Sequence, residues 1–125
     1  MLQQEKRPRV SVITVVKNGE RYLAEAVQSV LNQTYQPDEI IVVDGQSTDQ
    51  TAIIARSFTQ VRYILQPDQG LANARNLGID AAQGTFIAFL DHDDLWTTGK
   101  LETQMEFMAE RPDLLYTTIR MRFAV

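Results

Sequence analysis

At 125 residues, with 44% hydrophobic and 22% charged side chains, the chain is long enough to bury a core and too ordinary in composition to be disordered or fibrous. A net charge of −4 argues against a nucleic-acid partner held through phosphate contacts, which requires a basic face. With no cysteine, disulfide frameworks, zinc–thiolate centres and thiol nucleophiles are excluded, and a reducing compartment fits.

Met1 to Pro8 is polar and reads as a flexible arm ahead of a single domain over 9–125; it lacks an apolar signal core, and nowhere does an apolar run approach the ~20 residues of a transmembrane segment. Val10 to Val16 is a strongly β-branched strand, and Lys17-Asn18-Gly19 turns it into a helix marked by Tyr22, Leu23, Ala26, Val27, Val30 and Leu31. Glu39 to Asp44 is a second strand with a carboxylate at its exit. Ser47 or Thr48 is expected to cap a helix through Ala52, Ile53, Ala55 and Phe58. Val61 to Leu65 is a third strand, and Leu71 to Ala82 a third helix ending near Gly84. Thr85 to Leu90 is the fourth strand, Leu101 to Met108 a further helix stopped by Arg111-Pro112-Asp113, and Leu114 to Phe123 a fifth strand. Strands alternating with helices predict an α/β fold, a Rossmann-like, mostly parallel sheet flanked by helices and truncated after the fifth strand.

The run Phe86-Ile87-Ala88-Phe89-Leu90-Asp91-His92-Asp93-Asp94 carries the chemistry. Five apolar residues suit a strand covered on both faces, which sets Asp91 at its carboxyl end, where open α/β sheets bind ligands. Carboxylates one residue apart on extended chain point the same way, and oxygen ligands of this kind suit Mg²⁺ or Mn²⁺ shared with phosphate. The alternative is that Asp93 or Asp94 caps the next helix and the others are solvated loop charges.

Several segments in order, Val10-Ser11-Val12-Ile13 with Asn18-Gly19-Glu20-Arg21-Tyr22-Leu23, Ser29 to Tyr35, Glu39 to Asp44 with Ser47-Thr48-Asp49, Gly70 to Ile79, and Phe89 to Trp96 with Lys100-Leu101-Glu102, resemble a family 2 inverting glycosyltransferase. The resemblance covers roughly Pro8 to Tyr116 and implies the nucleotide-sugar-binding half of a GT-A fold. By it, Asp93 would be the principal ligand of Mn²⁺ or Mg²⁺, with Asp91 beside it facing donor sugar, ribose or a metal-bound water. Val15, Val16 and Asn18 would wall the base and ribose pocket, and Asp44 would hydrogen-bond the base edge, unless it serves an Asx turn or cap. Arg75 would lie near the nucleotide or make a surface salt bridge, and Asn76 would contact the donor or support a loop. Glu20 would reach the ribose or stand as an exposed first-turn helix acid. His92 would reach the metal or sugar, or face solvent, and Trp96 would pack beneath the loop.

The pattern also departs from the family. Lys17 stands where many members carry an aromatic, Gly45 where many carry a second Asp, and Thr98-Gly99 replaces a common Pro-Asp pair. The base is therefore open among UDP, GDP and dTDP, with a UDP-sugar favoured. The general base is not assignable here, Asp113 lying too close to the helix stop, since the family carries it with the acceptor site in a second half. The resemblance implies a cytoplasmic enzyme of cell-envelope glycan synthesis, working at the inner membrane face through a glycan or lipid-linked acceptor. An uncovered terminal strand leaves room for a homodimer. A non-catalytic nucleotide-binding or protein-interaction module on the same fold is the main alternative. A nucleotidyltransferase fits less well, because Val16-Lys17-Asn18-Gly19 makes a poor phosphate loop.

Overall fold

Val10 to Val16 forms the strand its β-branched side chains favour, and it becomes the spine of the molecule. In the computed structural model, which describes residues 7–111, β1 (Val10–Val16), β2 (Glu39–Asp44), β3 (Val61–Leu65) and β4 (Phe86–Phe89) alternate with α1 (Leu23–Leu31), α2 (Thr51–Ser57), α3 (Leu71–Ala81) and α4 (Lys100–Glu110). The sheet order is β3-β2-β1-β4, with every pairing parallel. Val12 pairs with Ile40 on one side and Ala88 on the other, and Ile13 with Ile41 and Phe89.

Because side chains alternate along a strand, β1 feeds two cores. Val10 and Val12 join Ala26 and Val30 of α1 and Leu101 and Met105 of α4, while Val16 and Val42 meet Ala55 of α2. On the opposite face, Ile13, Ile41 and Val43 pack with Ala74 of α3. Gly78 lets that helix lie close, since a Cβ there would be 2.6 Å from Ile13 Cγ2. The architecture is thus the expected parallel α/β sheet between helices.

Two expectations need correction. β4 is not covered on both faces: Ile87 and Phe89 are 37% and 45% exposed, because α3, which covers that side, packs over β1 and β2. Neither Ser47 nor Thr48 caps α2. The N-cap residue is Gln50, with no side-chain cap, and Asp49 Oδ1 instead accepts from the backbone N–H and hydroxyl of Thr51. α3 ends at Ala81, near Gly84 as expected, and Gly84 has a packing role of its own. It is a close-approach residue whose N–H donates to Ser11 Oγ at 2.8 Å and whose Cβ would collide with Ser11. Ahead of β1, Arg7 donates to Gln36 O and stacks 4.3 Å over the Tyr35 ring, whose hydroxyl donates to Pro8 O. The expected fifth strand and Asp113 lie outside the described residues.

Candidate functional site

The sheet grows from β1 to β2 to β3 in one direction, then β4 returns to the far side of β1. The strand order thus reverses between β1 and β4, and a crevice opens at the carboxyl ends of the strands, the usual ligand position in open α/β sheets. A cavity of about 460 Å³ lies there. Val15, Val16 and Lys17 line it from β1, Gly45 from beyond β2, Gln66, Gln69 and Gly70 from the β3–α3 loop, Leu71 and Arg75 from α3, and Phe89 to Asp93 from β4 and its exit.

Six of the residues expected at the site meet in this lining: Val15, Val16, Arg75, Asp91, His92 and Asp93. Asn18, Glu20, Asp44 and Asn76 do not. Asn18, at φ 53°, accepts from the Thr48 N–H at 2.8 Å, and its own N–H donates to Ser47 Oγ. Glu20 lies ahead of α1 rather than in its first turn. It accepts from the Gln50 N–H, and its N–H donates to Asp49 Oδ2. These reciprocal bonds stitch the β1–α1 loop to the β2–α2 loop and hold the cavity's outer wall. Hydrogen bonds from Thr51 and from the Glu20 N–H outweigh the effect of burial and hold the Asp49 carboxyl below its ordinary range.

Asp44 sits at the end of β2 at 1% exposure, with both oxygens engaged. Oδ1 accepts from the N–H and hydroxyl of Ser47, and Oδ2 from the Tyr63 hydroxyl at 2.5 Å. These bonds give Asp44 the turn-forming role, and it lies off the cavity lining. Burial, then the Asp44 hydrogen bond and charge, push the Tyr63 hydroxyl up to about 12. Asn76 is exposed on α3, off the lining.

The acidic run is a tight turn rather than extended chain, closed by the Asp94 N–H donating to Asp91 O at 3.0 Å. That turn, not strand alternation, brings Asp91 and Asp93 to one rim. Neither Asp93 nor Asp94 caps α4, whose N-cap is Gly99. Partial burial, then the charges of Asp91 and Asp93, raise the Asp94 carboxyl above its ordinary range, the mark of a local excess of negative charge. His92 does not simply face solvent. It is half-buried, and its ring lies over Gly19, where a Cβ would be 2.7 Å from His92 Cδ2. Trp96 packs beneath the loop in the core at 9% exposure, with Lys100 Nζ 4.0 Å from its ring, and burial brings the Lys100 ammonium down to about 8.

Arg75 is exposed at the cavity with its guanidinium 5.6 Å from the Phe89 ring, and among the described residues it forms no salt bridge. The surface-pair alternative is therefore not realised among those residues, and its charge faces the cavity. Among the described residues no three His, Asp or Glu side chains converge to hold a metal unaided. Two exposed carboxylates on a cavity rim suit instead an ion shared with a phosphate ligand, since Mg²⁺-type cations usually take one or two protein carboxylates and complete their shell from phosphates and water.

Gly45, Gln66, Gln69, Gly70 and Leu71 also line the cavity, from turn and helix-start positions that carry no pattern of their own. One signal was available for Gln66, which directly follows β3 as Asp91 follows the strand β4 and its last ladder residue, Leu90. The rule that ligands gather outside strand ends applies to it equally.

Known proteins share this fold. The profile of "Glycosyl transferase family 2" matches residues 11–125. The putative teichuronic acid biosynthesis glycosyltransferase TuaG of Bacillus subtilis (strain 168) is 43% identical over 110 residues, 84% of this chain and 44% of TuaG. Among solved structures, S. aureus TarS 1-349 in complex with UDP superposes with a TM-score of 0.76 at 29% identity, over 83% of this chain and 33% of that one. The mannosyltransferase PcManGT of Pyrobaculum calidifontis, in complex with GDP-Man and Mn²⁺, superposes with a TM-score of 0.78 at 28% identity, over 84% and 33%. This chain thus spans less than half the length of the relatives it matches, and the matched part holds the sheet and the acidic turn. By the family profile and by TuaG alike, the chain belongs to glycosyl transferase family 2.

Proposed function

We propose that the cavity binds the nucleoside-diphosphate part of a sugar donor, and that in a complete enzyme the sugar passes to an acceptor hydroxyl with inversion. The observation that carries this reading is the meeting of Asp91 and Asp93 with Arg75 at the switch point of the sheet, around a cavity large enough for a nucleotide. The UDP complex of TarS and the GDP-Man and Mn²⁺ complex of PcManGT support it.

Val15, Val16 and Leu71 offer apolar surface to a base and ribose, and Arg75 offers positive charge to the diphosphate. Asp91 and Asp93 would hold Mn²⁺ or Mg²⁺. Such an ion supplies charge that offsets the negative charge gathering on the departing nucleoside diphosphate. The stitched loops keep the cavity wall in place, so the donor meets a preformed surface. Attack by the acceptor hydroxyl on the anomeric carbon, from the face opposite the leaving group, requires a general base, and no described residue is assigned that role. A glycan or lipid-linked acceptor at the inner membrane face fits this chemistry; among the described residues no helix is long and apolar enough to cross a membrane.

Calorimetric titration with UDP, GDP and dTDP, each with and without Mn²⁺, tests the reading. Selective binding that needs Mn²⁺ is expected, with Asp93→Ala weakening it at least about 10-fold, the scale of losing one charged contact. Binding that ignores Mn²⁺ and the substitution would overturn it.

A further inference from the structure

The cavity wall contains an amide that the donor reading leaves unused. Gln66 is only 2% exposed yet lines the cavity. Its backbone is clamped on both sides, the N–H donating to Asp44 O at 2.8 Å and the carbonyl accepting from Gln46 Nε2 at 3.1 Å. Its side-chain Nε2 donates to Asp68 Oδ1 and to Gly70 O, each at 3.0 Å. Both amide hydrogens are thereby used, and a flipped amide would set Oε1 against two acceptor oxygens. The orientation is fixed by its partners.

Oε1 is left over. Among the described residues no donor bonds to it, and the one sealed, unpartnered side-chain atom there is Thr14 Oγ1, so Oε1 reaches open space. Beside it stands Gly45, where a Cβ would lie 3.4 Å from Oε1.

We propose that Gln66 Oε1 reads the base of the donor by accepting a hydrogen bond from its ring N–H. This rests on the donor reading of the cavity. An acceptor held in this orientation selects uracil or thymine, which donate from N3–H, or guanine, which donates from N1–H. It disfavours cytosine and adenine, whose corresponding ring nitrogens are acceptors, so two lone pairs would meet. Gln66 is then a specificity-determining residue, and the locked Asp68 and Gly70 contacts preorganise it.

UDP and CDP share ribose, diphosphate and metal demand and differ at the base edge, so their affinity ratio isolates this contact. Titrated into the chain with Mn²⁺, UDP is expected to bind about 10- to 100-fold more tightly than CDP, the scale of one satisfied against one unmade hydrogen bond. Gln66→Met should bring the ratio near one. The variant also gives up the Asp68 and Gly70 contacts, but that loss weakens both nucleotides together and leaves their ratio unmoved. Gly45→Ala is the second variant: it keeps every Gln66 bond, needs no left-handed backbone, and crowds the approach to Oε1, so it too should lower the ratio. Equal UDP and CDP binding by the unaltered chain, or a ratio that survives Gln66→Met, would overturn the role of Gln66 while leaving the donor site standing. Failure of the unaltered folded chain to bind either nucleotide would overturn both.

Discussion

Asp44 shows how a single carboxylate can be committed to structure at a place where ligands gather. Its two oxygens satisfy Ser47 and Tyr63, and the Ser47 hydroxyl in turn accepts from the Asn18 N–H, so the end of β2 is tied to the loop after β1. Removing one donor to a buried charge costs about 1–2 kcal/mol when, as here, the donor is itself half exposed. Tyr63→Phe should therefore lower unfolding free energy by about that amount in urea titrations at neutral pH. The pH dependence has a definite sign. The hydroxyl is raised to about 12 in the folded chain, above an ordinary value of 10, so its contribution is full below pH ~10 and fades as pH rises toward 12. The gap between Tyr63→Phe and the unaltered protein should hold from pH 7 to 9 and close above 10. A gap that widened there would mean that Tyr63 does not donate to Asp44.

Elements are placed by packing tolerances as much as by propensity, and α3 is the clearest case. Gly78 weakens a helix interior by about 1 kcal/mol relative to alanine, yet it lets α3 lie against Ile13. Ile13 is fully buried and β-branched, with Cγ2, Cδ1 and Cγ1 all within 3.4 Å of the missing Cβ, so it cannot swing aside. Overpacking of this kind costs about 1–3 kcal/mol, which exceeds the gain in propensity. Gly78→Ala should thus be less stable by about 1 kcal/mol. Because α3 carries Leu71 and Arg75 to the cavity, the same change should weaken UDP binding, read by urea unfolding and calorimetry on one sample. An alanine variant that was more stable and bound UDP normally would show that the helix has slack.

For the molecule as a whole, topology explains what was legible in the sequence. The strands and helices announce themselves through period and β-branching, and Asp91 and Asp93 through following an apolar strand, so the parallel sheet and the acidic rim could be read directly. Asn18 and Glu20 could not, because their partners lie about thirty positions away in the β2–α2 loop, and polar loop residues look alike until that pairing forms. Gln66 is illegible for the same reason: an amide between Leu65 and Pro67 reads as a turn until Asp68 and Gly70 fix it. The cover of β4 is not legible either, because an apolar strand pattern does not say which helix lies over it.

That uneven cover has a dynamic consequence. Among the described residues, β1 and β2 are each paired on both sides and buried, whereas β4 pairs along Val10 to Ile13 alone and leaves Ile87 and Phe89 exposed. Strands with few buried contacts open at lower free energy than the core, so amide hydrogen exchange should be slowest in β1 and β2 and measurably faster in β4. A donor held as proposed would touch Val15, Val16 and Gly45 on one side of the crevice and Asp91 and Asp93 on the other, joining the well-protected strands to the β4 exit. Saturating UDP and Mn²⁺, at about 100 times the dissociation constant, stabilises the bound state by about 2.7 kcal/mol. If the ligand spans the crevice, the largest gain in protection should fall on Phe86 to Phe89 and the turn to Asp94, with smaller gains along β3. Protection confined to the β1–β3 side would place the nucleotide away from the acidic turn. It would leave Asp91 and Asp93 without the metal-holding role that the switch-point cavity otherwise supports.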